Sequence, residues 1–369
     1  MSGIKYDITM EDLFKLMMEY GGSDLHLVAG TKPCIRINGD VERIDELPEL
    51  KPEHLIFLLK ELITEEEFIY FEQHWELDFS HAIPGVARFR GNIMKQRGSI
   101  AMVFRAIPFV IPNFDDLALI PQMKELCYLN RGLVLVTGPT GSGKSTTLAA
   151  MIDVINRERK ANIVTVEDPI EFLHKHKMST VRQRELGMDT HSFGDALRHV
   201  LRHDPDVILI GEMRDLESIQ IALTAAETGH LVFSTLHTQT APLTIGRIVD
   251  VFSADKRDQI RQQLANGLRG VIAQQLLRNK SGGRCAAIEF MVNTPAVKSL
   301  IREGKEHQLY NVIQTGGALG MQTMDAALAK LFNKGIISKE SVLEHCIDKQ
   351  EVERQMNMSG TGISQPLKW

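Results

Sequence analysis

The first hundred residues alternate between helical and strand-like patterns of apolar positions. Over Glu11–Tyr20 the apolar side chains fall on one helical face, and a Gly-Gly pair at 21–22 predicts the end of that helix. Ser23–Val28 alternates apolar with polar residues, as a half-buried strand does. Two more strands, Cys34–Ile37 and Val41–Ile44, flank the Asn-Gly pair at 38–39, which favours a tight hairpin turn.

Further helices and strands complete this part of the chain. The helices are predicted at Pro52–Ile63 and Glu65–His74, and the strands at Glu76–Ser80, Ala87–Lys95 and Ser99–Ile107. Helices mixed with antiparallel strands predict a small α+β domain over residues 1–107. Two prolines then interrupt the pattern over residues 108–116, which we interpret as a linker.

The pattern changes after residue 117, where short apolar strands alternate with helices. Strands are predicted at Gly132–Thr137, Ile163–Val166, Val207–Ile210 and Leu231–Leu236, with helices at Ser145–Asn156, Phe193–Leu201 and Leu216–Thr228. Strands that are apolar on both faces are typical of a parallel sheet covered by helices on both sides. The sequence therefore predicts an α/β domain over residues 117–348.

The end of this domain, beyond Ser253, is predicted to be largely helical. Helices are predicted at Lys256–Gly267, Ala296–Arg302, Thr323–Asn333 and Lys339–Cys346, with a short apolar run at Ala286–Val292 between them. Residues 349–369 are polar and contain a Ser-Gly-Thr-Gly segment, which predicts a flexible tail.

Composition narrows the class of protein. A net charge of −5 gives no reason to expect nucleic acid as a partner. No stretch of 18 apolar residues occurs, and residues 1–10 lack the basic and apolar regions of a secretory signal, so we expect a cytoplasmic protein. The four cysteines are widely spaced and form no Cys-x-x-Cys pair, which argues against a zinc module.

A glycine-rich segment carries the strongest chemical signal. It follows an apolar strand, opens a helix and fits the pattern G-x-x-x-x-G-K-[ST], which binds nucleotide phosphates through backbone amides. Lys144 supplies a charge for the β- and γ-phosphates, and the Ser145 hydroxyl is a ligand for Mg²⁺. We therefore predict ATP with Mg²⁺ as the bound ligands. The predicted nucleotide-binding residues are Gly138, Pro139, Thr140, Gly141, Ser142, Gly143, Lys144, Ser145 and Thr146.

Acidic residues follow two later strands. One strand ends in Glu167, Asp168 and Glu171, of which Glu171 is the candidate to polarise the attacking water; a solvated acidic turn is the alternative. Another apolar strand ends at Gly211 and Glu212, in the place where phosphate-loop ATPases commonly carry a metal-side aspartate. Glu212 is therefore the candidate acid on the Mg²⁺ side.

Histidines and arginines give weaker signals. His237, at the carboxyl end of the strand Leu231–Leu236, is a candidate to sense the γ-phosphate, although a lone histidine is often a core residue. Four arginines on the N-terminal strands could complete the site of a neighbouring subunit, or could lie on a solvated strand face with ordinary ion pairs. These are Arg88, Arg90, Arg97 and Arg105.

Together these motifs resemble the secretion-type hexameric ATPases, and among them the pilus-retraction (PilT/PilU) branch. The resemblance runs from Gly21 to about Ile347. Its parts are a Walker A motif at Gly138–Thr146, an Asp box at Val166–Glu171, an unusual Walker B at Ile210–Arg214, a His box at Gly229–Thr238 and an arginine strand at Arg88–Asn92. Ala296–Glu303 is similar to the retraction helix of that branch, from which it differs at Val297, Lys298 and Ser299.

The resemblance implies a PAS-like domain followed by a RecA-like ATPase domain. It implies that Glu171 is the general base, that Glu212 lies on the metal side, and that the arginines act across a subunit boundary. It further implies a homohexameric motor, peripheral at the inner-membrane base of the type IV pilus machine, that retracts the pilus for twitching motility. The implied partners are the platform protein of that machine and a paralogous retraction ATPase. The alternative is an accessory, PilU-like ATPase that assists another motor.

Overall fold

The computed structural model describes residues 8–37, 39–83, 86–107 and 110–358. The chain divides into two units, one made of residues up to 110 together with 171–173, and the other of 111–170 together with 174 onwards. Three predicted features fall partly outside the described residues: Asn38 of the hairpin, Pro108 of the linker and 359–369 of the tail.

A six-stranded antiparallel sheet forms the first unit, in the order β3-β2-β1-β6-β5-β4. Its strands are β1 Asp24–Val28, β2 Cys34–Ile37, β3 Asp40–Arg43, β4 Glu76–Ile83, β5 Ala87–Gln96 and β6 Ser99–Ile107. In β5, buried residues alternate with more exposed ones, as expected for a sheet with one covered face.

Three helices supply the apolar partners of this sheet: α1 Met10–Glu19, α2 Pro52–Lys60 and α3 Glu65–His74. The Thr9 hydroxyl caps α1 by accepting a hydrogen bond from the backbone amide of Asp12. In the core, the ring of Phe14 stacks on Phe89 at 3.9 Å between centroids and meets the edge of Phe104. This aromatic core lies on one face of the sheet.

The second unit is built on a seven-stranded sheet with the order β13-β12-β7-β11-β10-β8-β9. All neighbouring strands are parallel except β12 and β13. The strands are β7 Gly132–Thr137, β8 Asn162–Glu167, β9 Thr180–Glu185, β10 Val207–Ile210, β11 Leu231–Leu236, β12 Leu268–Arg278 and β13 Arg284–Val292.

Helices cover both faces of this second sheet. In β7, Leu133 and Leu135 belong to one buried apolar cluster, and Val134 and Val136 belong to another on the opposite face. The helices are α4 Lys144–Glu158, α5 Phe193–Val200, α6 Leu216–Glu227, α7 Ala241–Asp250, α8 Ala254–Gly267, α9 Pro295–Arg302, α10 Leu309–Thr315, α11 Met324–Asn333, α12 Lys339–His345 and α13 Lys349–Met358. A 3₁₀ segment, Pro121–Tyr128, precedes β7.

Two strands of the second sheet depart from the predicted elements. The long strand β12 lies in a region that the sequence predicts to be largely helical. It starts directly after the last residue of α8, so no turn separates the helix from the strand and the boundary has no sequence signal. The strand β9 has one buried apolar residue, Val181, because it is an edge strand with a single neighbour. A short, mostly polar segment of this kind carries no clear alternation.

The predicted flexible tail is wrong for its first ten residues, which form α13. Val352 and Met356 are four residues apart, so they share one helical face, and both are buried in an apolar cluster with residues of α11 and α12. This packing, and not local composition, orders the segment. Among the described residues, no helix is long and apolar enough to cross a membrane.

Candidate active site

The phosphate-binding loop connects β7, which ends at Thr137, to α4, which begins at Lys144. Three of its glycines have positive φ angles: +143° at Gly138, +79° at Gly141 and +86° at Gly143. L-residues with side chains rarely adopt such angles, so the loop requires glycine at these positions. The sequence Gly-Pro-Thr-Gly-Ser-Gly-Lys-Ser over 138–145 thus specifies the backbone path as well as the chemistry.

The ammonium group of Lys144 lies against the loop itself. Its Nζ donates hydrogen bonds to the backbone oxygens of Gly138 at 2.9 Å and Pro139 at 3.0 Å. The first turn of α4 contains no acidic residue, so the positive end of the helix dipole is not neutralised there. Backbone amides, an ammonium group and a helix N-terminus therefore converge on the same region, which is chemistry suited to a polyphosphate.

A second polar group lies at the carboxyl ends of two neighbouring strands. Glu212 follows β10 and His237 follows β11, and these strands pair in parallel. The Nε2 atom of His237 lies 3.0 Å from Oε1 of Glu212, and the Nε atom of Arg214 lies 2.9 Å from its Oε2. The structure thus brings together the two candidates Glu212 and His237 and adds Arg214, which the motifs did not single out.

Backbone and hydroxyl hydrogen bonds fix the position of Glu212. The amide of Gly211 donates to the backbone oxygen of Val166 at 2.8 Å, and the Thr235 hydroxyl donates to the backbone oxygen of Gly211 at 2.7 Å. The amide of Met213 donates to the backbone oxygen of Thr235 at 3.1 Å. Residues on both sides of Glu212 are therefore tied to β8 and β11, and its side chain is only 20% exposed.

The three acids after β8 have different environments. Glu167 is buried, and its Oε1 accepts hydrogen bonds from the Thr165 hydroxyl at 2.6 Å and from Gln183 at 3.1 Å. Asp168 lies 3.6 Å from Arg214 in an ion pair. Glu171 is exposed and belongs to the stretch 171–173 that groups with the first unit. Asp168 is also exposed but is ion-paired with Arg214, and the role of Glu171 as general base stays a prediction.

A buried acid that the motifs did not indicate lies on β13. Glu289 accepts a hydrogen bond from the backbone amide of Ala241 at the start of α7, and another from that of Met324 at the start of α11. Burial raises the pKa of Glu289 to about 7. The carboxylate holds the N-termini of two helices, one of which begins four residues after His237. A single acid within the apolar run at 286–292 was the available sequence signal.

Gln274 of β12 also contacts the phosphate-binding loop, through hydrogen bonds to Ser142 and Thr147. The sequence pattern does not reveal it, because β12 was not predicted. A buried polar residue inside an apolar strand would have been the signal.

The N-terminal arginines do not form one group. Arg90 on β5 and Arg105 on β6 are paired in register, and Arg88 lies two residues from Arg90 on the same face of β5. Arg90 lies 3.9 Å from Asp78, and the Nε atom of Arg105 donates to the buried carboxylate of Asp24 at 2.8 Å.

Arg97 lies in the turn at the other end of the β5–β6 hairpin. At about 3.3 Å per residue, that turn is roughly 20 Å from Arg90. The structure therefore brings three of the four predicted arginines onto one face of the sheet and leaves Arg97 apart from them.

Comparisons with known proteins identify the family of this chain. The model of the family described as "Type II/IV secretion system protein" matches residues 113–344. The type IV pilus retraction ATPase PilT of Pseudomonas aeruginosa is 51% identical over 338 residues, which is 92% of this chain and 97% of that protein. The chain belongs to the type II/IV secretion system protein family.

Within this family the chain is also similar to the type IV pilus ATPase PilU of Pseudomonas aeruginosa, at 41% identity over 91% of this chain and 88% of that protein. A crystal structure of the pilus retraction motor PilT with bound ADP superposes with a TM-score of 0.89 at 47% identity. It covers 94% of this chain and 99% of that one. The predicted membership of the pilus-retraction branch is confirmed, as is the predicted fold class of an N-terminal α+β domain followed by an ATPase domain.

As a member of this family branch the chain is a nucleotide-binding P-loop ATPase. That the loop at 138–145 binds the phosphates stays a prediction, supported by the glycine conformations, the lysine and the helix N-terminus that it combines.

Proposed function

We propose that this chain is an ATP-driven motor that retracts type IV pili. Two observations together support the proposal: the chain belongs to the retraction branch, and its candidate ATPase residues lie at one edge of the second sheet. The phosphate loop and the Glu212–His237 pair follow β7, β10 and β11, which are consecutive neighbours in the sheet. Ligands of open parallel sheets bind beyond the carboxyl ends of the strands, so both groups face the same ligand region.

Binding of ATP relies on the loop. Its amides surround the β- and γ-phosphates, and Lys144 exchanges its two contacts with loop carbonyls for contacts with phosphate oxygens. Because those contacts are hydrogen bonds to neutral acceptors, replacing them with an anionic acceptor is favourable.

Mg²⁺ is proposed as the metal that accompanies the nucleotide. The hydroxyl of Ser145 and the carboxylate of Glu212 are oxygen donors, the class that Mg²⁺ prefers. No group of three or more His, Cys, Asp or Glu side chains in the described ranges could hold a metal by itself. This fits a metal held partly by the phosphates of its nucleotide, where it neutralises charge on the transferred group.

Hydrolysis needs a positioned water in addition to the phosphate site. We assign the task of accepting its proton to Glu171, whose exposed carboxylate is accessible to water. His237 holds Glu212 through the 3.0 Å contact of its Nε2, and it is positioned beside the ligand region to respond to the γ-phosphate. ATP binding and hydrolysis would then change the contacts of His237 and Arg214 with Glu212.

The working assembly is proposed to be a homohexamer in which Arg88, Arg90, Arg97 or Arg105 acts at a neighbouring site. The motor would act at the inner-membrane base of the pilus machine, against its platform protein and alongside a paralogous ATPase. The net charge of −5 gives no support for nucleic acid as a partner.

A deletion strain tests the retraction role. Cells lacking the protein should keep surface pili and lose retraction, and expression of the wild-type chain, but not Lys144→Ala, should restore it. If retraction persists in the deletion strain and only its force or speed changes, the protein is instead an accessory ATPase of the PilU kind.

The shared-site proposal is tested with purified protein. The ATPase rate per chain should rise with protein concentration and fall in Arg90→Ala. Arg43→Ala is the matched control, because Arg43 is an exposed arginine at the edge of the same sheet. A concentration-independent rate, or equal effects of both variants, would contradict a site shared between subunits.

A further inference from the structure

Gln274 links the phosphate-binding loop to the first turn of α4. Its side chain is buried, with 3% of the residue exposed. Its Nε2 donates a hydrogen bond to the backbone oxygen of Ser142 at 2.7 Å, and its Oε1 accepts one from the Thr147 hydroxyl at 2.7 Å. One side-chain amide therefore satisfies a loop carbonyl and a helix hydroxyl at the same time.

The loop also packs directly on this residue. A Cβ atom added at Gly138 would overlap the backbone oxygen of Gln274, and one added at Gly143 would lie 2.8 Å from its Nε2. The two glycines that the loop pattern specifies are thus held at contact distance from one residue of β12. Glycine is needed at both for this close approach as well as for its backbone angles.

The contact with Ser142 determines where the next amide points. A trans peptide group is planar, so its N–H is directed opposite to its C=O. Because the carbonyl of Ser142 is directed at Gln274, the amide of Gly143 is directed away from Gln274. That amide is one of the loop donors expected to bind phosphate oxygens.

We propose that Gln274 is a positioning residue that sets the orientation of the peptide group between Ser142 and Gly143, and thereby the affinity of the loop for nucleotide phosphates. This inference rests on the proposed ATPase function. The residue type is specific, because glutamine offers a donor and an acceptor on one planar group. An ionised glutamate lacks the donor, and methionine lacks both while keeping a similar volume.

Three variants test the proposal by calorimetric ADP binding and steady-state ATPase kinetics. Gln274→Met should weaken ADP binding and raise KM for ATP by about tenfold, equivalent to about 1.4 kcal/mol. The kcat should change by less than about threefold, because the interaction acts equally in the ground and transition states. Gln275→Met is the matched control: Gln275 points to the opposite face of β12 and donates to the backbone oxygen of His345 at 3.3 Å.

Gln274→Glu should change the pH dependence of ADP affinity, which a loss of stability alone would not change. At pH 8 its carboxylate faces the Ser142 oxygen without a proton to donate, so ADP binding should be weaker than in Gln274→Met. At pH 6 a protonated carboxyl can donate again, so the affinity ratio to wild type should recover by several-fold. If Gln274→Met fails to fold, this pH response decides the question.

The outcomes separate the two proposals. Wild-type protein that binds no ADP would overturn the ATPase function itself. Wild-type binding with unchanged affinity in Gln274→Met, a fall in kcat at constant KM, or the absence of pH recovery in Gln274→Glu would overturn the positioning role alone.

Discussion

Two glycines of the phosphate-binding loop allow a comparison between steric overlap and backbone strain. In Gly138→Ala the new Cβ would overlap the backbone oxygen of Gln274 and lie 2.7 Å from the hydroxyl of Ser142. In Gly141→Ala the new Cβ would meet no atom within 4 Å. Both positions have positive φ, so both substitutions strain the backbone, but only the first also displaces a neighbouring strand.

The expected cost of Gly138→Ala is about twice that of Gly141→Ala. Strain at a positive φ alone costs about 1–2 kcal/mol, which is the full expectation for Gly141→Ala. Gly138→Ala adds an overpacking cost of about 1–3 kcal/mol, because a backbone oxygen cannot rotate away as a side chain can. At about 2–4 °C per kcal/mol for a unit of this size, a total of about 2–5 kcal/mol lowers Tm by about 4–20 °C in Gly138→Ala, against about 2–8 °C in Gly141→Ala.

Thermal unfolding with and without ADP measures both effects. Gly138→Ala should also lose ADP-induced stabilisation, because the loop must move away from β12, whereas Gly141→Ala should keep ADP affinity within about tenfold of wild type. Equal shifts in Tm and equal losses of ADP binding in the two variants would refute the argument that contact with Gln274 determines the loop geometry.

Three further outcomes are expected. Glu171→Gln should lower kcat by at least about a hundredfold and leave ATP affinity within a few-fold, as for loss of a general base; loss of nucleotide binding would count against that role. Glu212→Ala should reduce turnover at every Mg²⁺ concentration, and unchanged turnover across a magnesium titration would exclude its metal-side role. Because the pKa of Glu289 is raised to about 7 in the fold and is 4.5 ordinarily, the wild type should lose about 3 kcal/mol of stability as pH rises through that window. Glu289→Gln should lack this dependence. The Tm of wild type relative to that of the variant should therefore be higher at pH 5 than at pH 8, and an equal Tm difference at the two pH values would refute the assignment.

Local features of the chain were determined by the sequence itself. The phosphate loop is contiguous, and its glycines, lysine and following helix act within nine residues, so their spacing alone predicts the structure and the ligand. The helix Glu65–His74 and the strands β7, β10 and β11 were predicted within a residue, because their apolar positions follow one clear period or form an uninterrupted buried run.

Tertiary structure decided the contacts that join separate parts of the chain. Strand order placed Glu212 beside His237, and register aligned Arg90 with Arg105 while leaving Arg97 at the far turn. The packing of β12 and β13 placed Gln274 against the phosphate loop and Glu289 against two helix N-termini, although both lie in segments whose sequence resembles any apolar run. The physical reason is the same in each case. Side-chain periodicity reports which face of an element is buried, whereas the partner it meets there depends on how the strands are ordered and aligned.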